Sequence, residues 1–149
     1  MFKLFSLFAV LVGGAVTDCS NGGALFKLSS MSFSPDPPVA GENSTLLLSM
    51  TVPAQIPGGS ASYSLTYNFI PFAPTTEDLC TTLPSGCPIM AGQLDTKSVV
   101  PIDKGLSGSV SLKIKWTDLT DRNLLCVLVS MKVGDAAKQV ALRGTYRDL

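Results

Sequence analysis

The sequence contains no histidine and no surplus of charge, since its 11 Lys and Arg balance its 11 Asp and Glu. The missing histidine removes the commonest general base, the Ser–His and Cys–His nucleophile pairs and the histidine-containing metal sites. The balanced charge argues against nucleic acid as a partner, because nucleic-acid binders carry a basic surplus or stripe. Charged residues make up only 15% of the chain and the mean hydropathy is +0.35, which argues against disorder. We therefore expect a folded protein that is not an enzyme and that needs no cofactor and no metal.

The few acidic residues do not form a catalytic pattern. Asp118 and Asp121 lie in one predicted turn, and Glu77 and Asp78 precede Cys80. Two carboxylates can make a glycosidase, but Asp is common in turns for its side-chain hydrogen bonds. We interpret these aspartates as turn residues.

The first 17 residues have the plan of a secretory signal peptide. Lys3 supplies a positive charge, residues 4–12 are almost wholly apolar, and residues 13–15 are small. Cleavage after Ala15 or Thr17 fits this plan. The alternative is an N-terminal membrane anchor, but the apolar run is shorter than the about 20 residues that span a bilayer. We expect a secreted protein, or one in the lumen of the endolysosomal or vacuolar pathway.

Four cysteines in a secreted chain predict two disulfides. Four cysteines allow three pairings. Cys80 and Cys87 flank a short segment of turn residues and are natural partners, which leaves Cys19 with Cys126. The second bridge closes a long loop, with a stabilisation of about 4 kcal/mol in the chain-entropy model. A zinc site is the alternative, but the chain has neither a C-x-x-C pair nor a histidine.

An N-glycosylation sequon occupies residues 43–45, Asn-Ser-Thr. In a secreted chain it predicts a surface loop that carries a glycan on Asn43.

Apolar residues alternate with polar ones in four segments, which predicts half-buried strands. The segments are residues 109–116, 62–69, 45–52 and 124–133. Residues 24–34 form a weaker strand, and residues 99–102 a short edge strand. Gly and Pro, 13 and 10 in number, separate these segments, and no amphipathic helix is evident before residue 134.

These strands predict an all-β fold, an immunoglobulin-like two-sheet β-sandwich of about seven strands. The sandwich forms one domain, residues 18–133, followed by a C-terminal tail, residues 134–149, in which Asp135 is placed to cap a short helix. Two faces are rich in aromatic residues: Tyr63, Tyr67 and Phe69 on one strand, and Trp116 on another. Periodicity cannot distinguish a packed core from a cavity with an apolar guest, because both need apolar inward faces.

Four motifs in one order carry a resemblance to a family. They are Asp18-Cys19; Ser32 to Pro38 with Gly41; Asp78-Leu79-Cys80 followed by Gly86-Cys87-Pro88-Ile89 and Gly92; and Lys115-Trp116 followed by 118–126. With this cysteine spacing, residues 18–133 resemble the secreted ML-domain lipid-recognition family. The similarity is greatest to the Niemann-Pick type C sterol carrier and to phosphatidylglycerol/phosphatidylinositol transfer proteins.

The resemblance implies two sheets that stand apart around a sterol or phospholipid, and the same disulfides, Cys19–Cys126 and Cys80–Cys87. The Cys80–Cys87 loop is our candidate for the rim of the cavity. The predicted lipid-binding residues are Leu48, Met50, Tyr63, Leu65, Tyr67, Phe69, Pro88, Ile89, Val110, Leu112, Ile114, Trp116, Val127, Val129 and Met131.

The cargo stays open between sterol and phospholipid. Lys115-Trp116 is similar to the sterol carriers, whereas the 32–38 motif and the lack of a third disulfide favour phospholipid. The predicted function is lipid binding and transfer by a monomer that makes transient contact with membranes or a membrane receptor. The alternative is an interaction module that senses a lipid-bearing product or receptor.

Overall fold

The computed structural model describes residues 15–133, and within them almost all regular structure is β-strand. The elements are β1 (Ala15–Asp18), β2 (Lys27–Ser34), β3 (Asn43–Val52), β4 (Gly59–Tyr67), β5 (Ile70–Pro71), β6 (Thr75–Asp78), α1 (Leu79–Thr82), β7 (Gly92–Pro101), β8 (Gly108–Asp118) and β9 (Asn123–Val133). No helix in this part of the chain is long and apolar enough to cross a membrane. The predicted signal peptide up to residue 14 and the tail from residue 134 lie outside the described residues.

Two antiparallel sheets form the predicted all-β sandwich. The larger sheet has the order β1-β9-β8-β4, with β5 and β6 both paired to β4; the smaller sheet has the order β2-β3-β7. Residues 15–133 form nine strands where about seven were expected; β1, β5 and β6 have two to four residues each, too few for alternation to reveal them. β1 pairs with β9 through residues 15–18, so the predicted cleavage points lie within this strand.

The predicted strand near residue 99 is much longer than expected. β7 runs over ten residues and pairs with the whole of β3. The first part of β7 is rich in polar residues, such as Gln93, Asp95 and Ser98, so apolar alternation does not identify it as a strand. β7 is an edge strand of the smaller sheet, where exposed polar side chains are common.

The sequon also lies differently from the prediction. Asn43 is exposed, but it is the first residue of β3 and pairs with Pro101 of β7. Ser44, the next residue, is buried. The sequon therefore starts a strand and does not lie in a loop, and glycosylation of Asn43 remains a prediction.

Both disulfides have the predicted pairing, Cys19 with Cys126 and Cys80 with Cys87. Cys19 follows β1, and its backbone N–H donates a hydrogen bond to the carbonyl of Cys126 in β9. The first bridge thus reinforces neighbouring strands of the larger sheet. The second ties α1 to the loop that follows it.

The inner face of the larger sheet consists of layers of side chains that lie opposite one another on β4, β8 and β9. From one end to the other the layers are Ala61/Trp116/Leu125, Tyr63/Ile114/Val127, Leu65/Leu112/Val129 and Tyr67/Val110/Met131. We call the end at Gly59, Asp118 and Asn123 the packed end. We call the end at Tyr67, Gly108 and Val133 the cavity end.

Candidate functional site

At the packed end the interior is filled with protein side chains. Trp116 is buried and meets the ring of Phe26 edge to face, with centroids 6.4 Å apart. Ala61 and Leu125, opposite Trp116, are fully buried. At Gly59 a Cβ would collide with the carbonyl oxygen of Thr117, so only glycine lets the strands approach so closely. The side chains of this layer therefore pack against one another.

Toward the cavity end the packing gives way to a partly open cavity of about 420 Å³, lined mainly by apolar side chains. The larger sheet contributes one wall: Tyr63, Leu65, Tyr67, Val110, Leu112, Met131 and Val133. Opposite it lie Val100, Pro101, Ile102, Asp103 and Leu106, from the end of β7 and the loop after it. Thr75 of β6, with Phe72 and Ala73 of the segment between β5 and β6, completes the lining beside β4.

Beside the cavity the inner face of the larger sheet is only partly covered. Leu65 and Leu112 belong to the same inner-face layer, yet Leu65 is 40% exposed and Leu112 is only partly buried. One layer deeper on β8, Ile114 is buried. The central strand β3 buries Leu48 and Met50 in the closed core but contributes no side chain to the cavity wall.

The cavity wall carries little charge. Among the described residues that line it, Asp103 is the one carboxylate and none is a Lys or Arg. Burial raises the pKa of the Tyr63 hydroxyl, and the nearby Glu77 carboxylate adds to this, while a hydrogen bond with Thr82 opposes it. The phenol is therefore neutral. Within the described part of the chain, no three Asp, Glu, Cys or His side chains come together where they could hold a metal ion.

Leu65 and Phe72 line the cavity and are 40% and 52% exposed, so the cavity opens to solvent beside them; we call this opening the mouth. Hydrogen bonds connect two segments next to it. The Tyr67 hydroxyl donates to the carbonyl of Ser107 at 2.9 Å, and the Asn68 side-chain oxygen accepts from the N–H of Ser109 at 2.9 Å. Gly108, with φ of +101°, lies against the Asn68 amide, where a Cβ would collide with it. The turn after β4 is thus held against the loop before β8.

The structure brings six of the predicted lipid-binding residues together in the cavity wall: Tyr63, Leu65, Tyr67, Val110, Leu112 and Met131. Seven others lie in the closed core: Leu48, Met50, Ile89, Ile114, Trp116, Val127 and Val129. Ile114 and Val127 lie in the same layer as the cavity residue Tyr63 and therefore border the cavity. Pro88 and Phe69 are exposed.

The predicted strand over residues 62–69 is too long at its end, where it included Phe69. β4 ends at Tyr67, and residues 68 and 69 form a turn in which both have positive φ, +46° and +67°. The alternation that placed Phe69 inward stops at this turn, and its side chain is 89% exposed.

The predicted rim, the Cys80–Cys87 loop, does not line this cavity. α1 follows β6, whose last residue, Asp78, pairs with Ser60 at the packed end of β4. The loop approaches the cavity only through the hydrogen bond between Thr82 and the cavity residue Tyr63, and its role as a rim stays a prediction. Ile89, just after it, is buried and pairs with Ile56.

The cavity-lining residues that lie outside β4, β8 and β9 were not identified from the sequence. Leu106 and Ile102 lie in the loop between β7 and β8, and Phe72 lies beside Pro71. Their neighbouring Gly and Pro residues marked them as turns. The available signal was the presence of large apolar side chains within those turns.

The chain is similar to proteins named for lipid transfer. It is 28% identical over 119 residues to a Dictyostelium discoideum protein provisionally named phosphatidylglycerol/phosphatidylinositol transfer protein 1, covering 78% of each chain. It is 26% identical over 125 residues to the phosphatidylglycerol/phosphatidylinositol transfer protein of Mycosarcoma maydis, covering 79% of this chain and 65% of that protein.

The fold matches solved structures at lower identity. A Niemann-Pick type C2 protein from the Japanese carpenter ant superposes with a TM-score of 0.63 at 17% identity, covering 80% of this chain and 98% of that one. Chicken MD-1, solved in complex with lipid IVa, gives a TM-score of 0.58 at 13% identity, covering 80% and 88%. The family model for the ML domain matches residues 14–133. The chain therefore belongs to the ML-domain family.

Proposed function

We propose that this protein is a lipid carrier that holds the apolar part of a sterol or phospholipid in the cavity between its sheets. The observation that carries the proposal is the apolar cavity of about 420 Å³ at one end of the sandwich. Burial of apolar surface contributes about 25 cal/mol per Å², so a lipid binds there without a metal or a charged partner. The names of the similar Dictyostelium and Mycosarcoma proteins support transfer as the activity.

The size of the cavity limits how much of a lipid it encloses. Pockets for small ligands measure about 300–1,000 Å³, and this cavity is near the lower end of that range. It suits one sterol skeleton or one acyl chain. A second acyl chain would have to lie at the mouth, against exposed parts of Leu65 and Phe72.

The charge of the wall indicates where a polar headgroup goes. Because Asp103 is the one charged side chain among the described residues of the wall, an anionic headgroup finds no counter-charge on them. We propose that headgroups remain in the solvent at the mouth and that the cavity selects for the apolar part. The two disulfides agree with a secreted or endolysosomal location, where such bridges persist.

Lipid extraction tests this proposal directly. Protein secreted from eukaryotic cells should carry one sterol or one phospholipid per molecule, identified by mass spectrometry after solvent extraction. Lipid-free protein should then bind a fluorescent sterol or phospholipid with saturation at one site. Absence of bound lipid together with absence of saturable binding would contradict the proposal.

A second candidate is a lipid-sensing interaction module. The fold similarity to chicken MD-1, a protein solved with lipid IVa, is the observation that favours it. The two functions separate in a transfer assay between donor and acceptor vesicles. A carrier moves lipid between them, whereas a sensor binds lipid and does not release it to acceptor vesicles.

A further inference from the structure

The turn beside the cavity mouth exposes three large apolar side chains. Phe69, Ile70 and Phe72 are 89%, 64% and 52% exposed. We call residues 69–72 the apolar tip. It is continuous with the cavity, because Phe72 lines the cavity wall and so does Tyr67, the last residue of β4 before the turn.

The backbone of the apolar tip is unfavourable for the residue it carries. Tyr67 pairs with Ile70, so Asn68 and Phe69 form a two-residue hairpin turn, and both have positive φ. This turn type strongly prefers Asn-Gly, and a bulky residue in the left-handed region is an outlier. Asn68 suits its position, but Phe69 occupies the position where glycine is preferred.

The fold itself does not explain the aromatic ring at position 69. The turn is held by Tyr67 and Asn68 through their bonds to the loop before β8, and the Phe69 ring projects mostly into solvent. Position 69 therefore has a backbone conformation that glycine would adopt without strain, yet it carries a large and exposed aromatic side chain. Unfavourable backbone of this kind indicates a function served by the side chain.

We propose that the apolar tip inserts into the surface of a lipid bilayer and so places the cavity mouth against the membrane. This inference rests on the proposed carrier function. A lipid that leaves the cavity next to an inserted tip reaches the bilayer without exposing its apolar part to water. The tip therefore fits the point at which cargo is exchanged.

The shape and charge of the surroundings favour a bilayer over a protein partner. The tip is a convex hairpin end, whereas a protein partner would need a pocket shaped to receive it. Phe69 and Lys132 line the same shallow depression on the outer face of the larger sheet, which places an exposed cation beside the tip. Interfacial binding increases with buried apolar area and with attraction of cations to anionic lipids.

Phe69→Gly is the informative variant, because we expect it to weaken docking to membranes without lowering the stability of the fold. Glycine relieves the backbone strain, so the melting temperature of lipid-free F69G should equal or exceed that of the parent protein. Loss of the ring should weaken association with phosphatidylcholine/phosphatidylglycerol vesicles, measured by flotation, by roughly tenfold. Binding of a fluorescent sterol or phospholipid in solution, without vesicles, should not change, since Phe69 does not line the cavity.

Leu119→Ser is the matched control. Leu119 is 73% exposed, but it lies at the packed end, next to the Asp118 turn. Its removal should leave vesicle association unchanged. An equal loss in L119S and F69G, or no loss in F69G, would overturn the proposal.

A second measurement places the tip in the bilayer without relying on affinity. In Phe69→Trp the new indole is exposed, whereas the native Trp116 is buried. Addition of vesicles should shift the emission to shorter wavelength and make it accessible to quenchers carried on lipid acyl chains. An emission spectrum unchanged by vesicles that bind the protein would exclude insertion of the tip.

These outcomes separate the tip from the carrier function. If lipid binding in solution persists while F69G binds vesicles like the parent protein, the tip proposal fails and the carrier proposal stands. If lipid-free protein binds no lipid in solution, the carrier proposal itself fails.

Discussion

The two ends of the sandwich use the same strands in different ways. At the packed end, Trp116 and Leu125 fill the interior, and both disulfides lie in this half. At the cavity end, Leu65 and Leu112 line an unfilled space, and hydrogen bonds from Tyr67 and Asn68 hold the mouth. The difference shows how a domain this small accommodates a cavity. The disulfides and the buried Trp116 layer lie at one end, and the cavity lies at the other.

The largest expected difference between the ends is the effect of removing a side chain from β8. Trp116→Ala should lower the free energy of unfolding by about 3–5 kcal/mol, because it leaves a void in a filled layer. Leu112→Ala should lower it by less than about 2 kcal/mol, since the side chain already borders a cavity. Urea denaturation of lipid-free protein measures both, and equal losses would remove the distinction between the ends.

Alternation in β8 predicted its inner face correctly but not the cavity. Leu112 and Ile114 stand in the same pattern, and only the position of the second sheet makes one a cavity residue and the other a core residue. Sequence periodicity reports which face is buried and not what covers it. The disulfide pairing was predictable because four cysteines leave few choices and one pair flanks a short turn.

The features that could not be predicted from the sequence have different physical causes. β7 was hidden because an edge strand tolerates polar side chains, and the turn at Phe69 was hidden because it lacks the usual glycine. The position of the Cys80–Cys87 loop relative to the cavity could not be read from the sequence, because it depends on how β6 pairs with β4, a long-range contact that no local pattern reveals.

The two disulfides should differ in their contribution, although both lie at the packed end. Replacing Cys19 and Cys126 by alanine opens a loop of 107 residues and should lower the free energy of unfolding by about 4 kcal/mol. Replacing Cys80 and Cys87 opens one of seven residues and should lower it by about 2 kcal/mol.

Neither double variant should change lipid binding per folded molecule, because no cysteine lines the cavity. Denaturation and a binding titration on the same samples check both statements. Loss of binding in folded C80A/C87A would place the loop in the site after all.

The smallest expected effect concerns the Asp118 turn at the packed end. Its carboxylate accepts hydrogen bonds from the backbone N–H groups of Thr120 and Arg122, both at 2.9 Å, and from Arg122 Nε at 2.6 Å. Burial acts to raise the pKa of Asp118, but the hydrogen bonds from Thr120 and Arg122 outweigh it and hold the pKa well below its usual range.

A lowered pKa in the folded state means that the ionised carboxylate stabilises the fold above the unfolded pKa of about 3.9. Asp118→Asn should therefore be less stable than the parent protein at neutral pH. The difference should shrink as the pH falls below about 4, because the unfolded chain then binds a proton at Asp118 while the folded state, with its lowered pKa, does not. Unfolding midpoints at a series of pH values test this, and a difference that does not vary with pH would contradict it.

The most direct test of the cavity compares Leu112→Trp with Ile114→Trp, neighbours on the inner face of β8. The indole of L112W should occupy the cavity, so binding of a fluorescent sterol or phospholipid should fall greatly while the melting temperature of lipid-free protein stays near that of the parent. The indole of I114W should overpack a filled layer and cost about 1–3 kcal/mol or more of stability. Lipid must first be removed from all samples, because bound lipid itself raises the apparent stability. A large drop in the melting temperature of L112W, with unchanged binding per folded molecule, would contradict the assignment of this cavity as the lipid site.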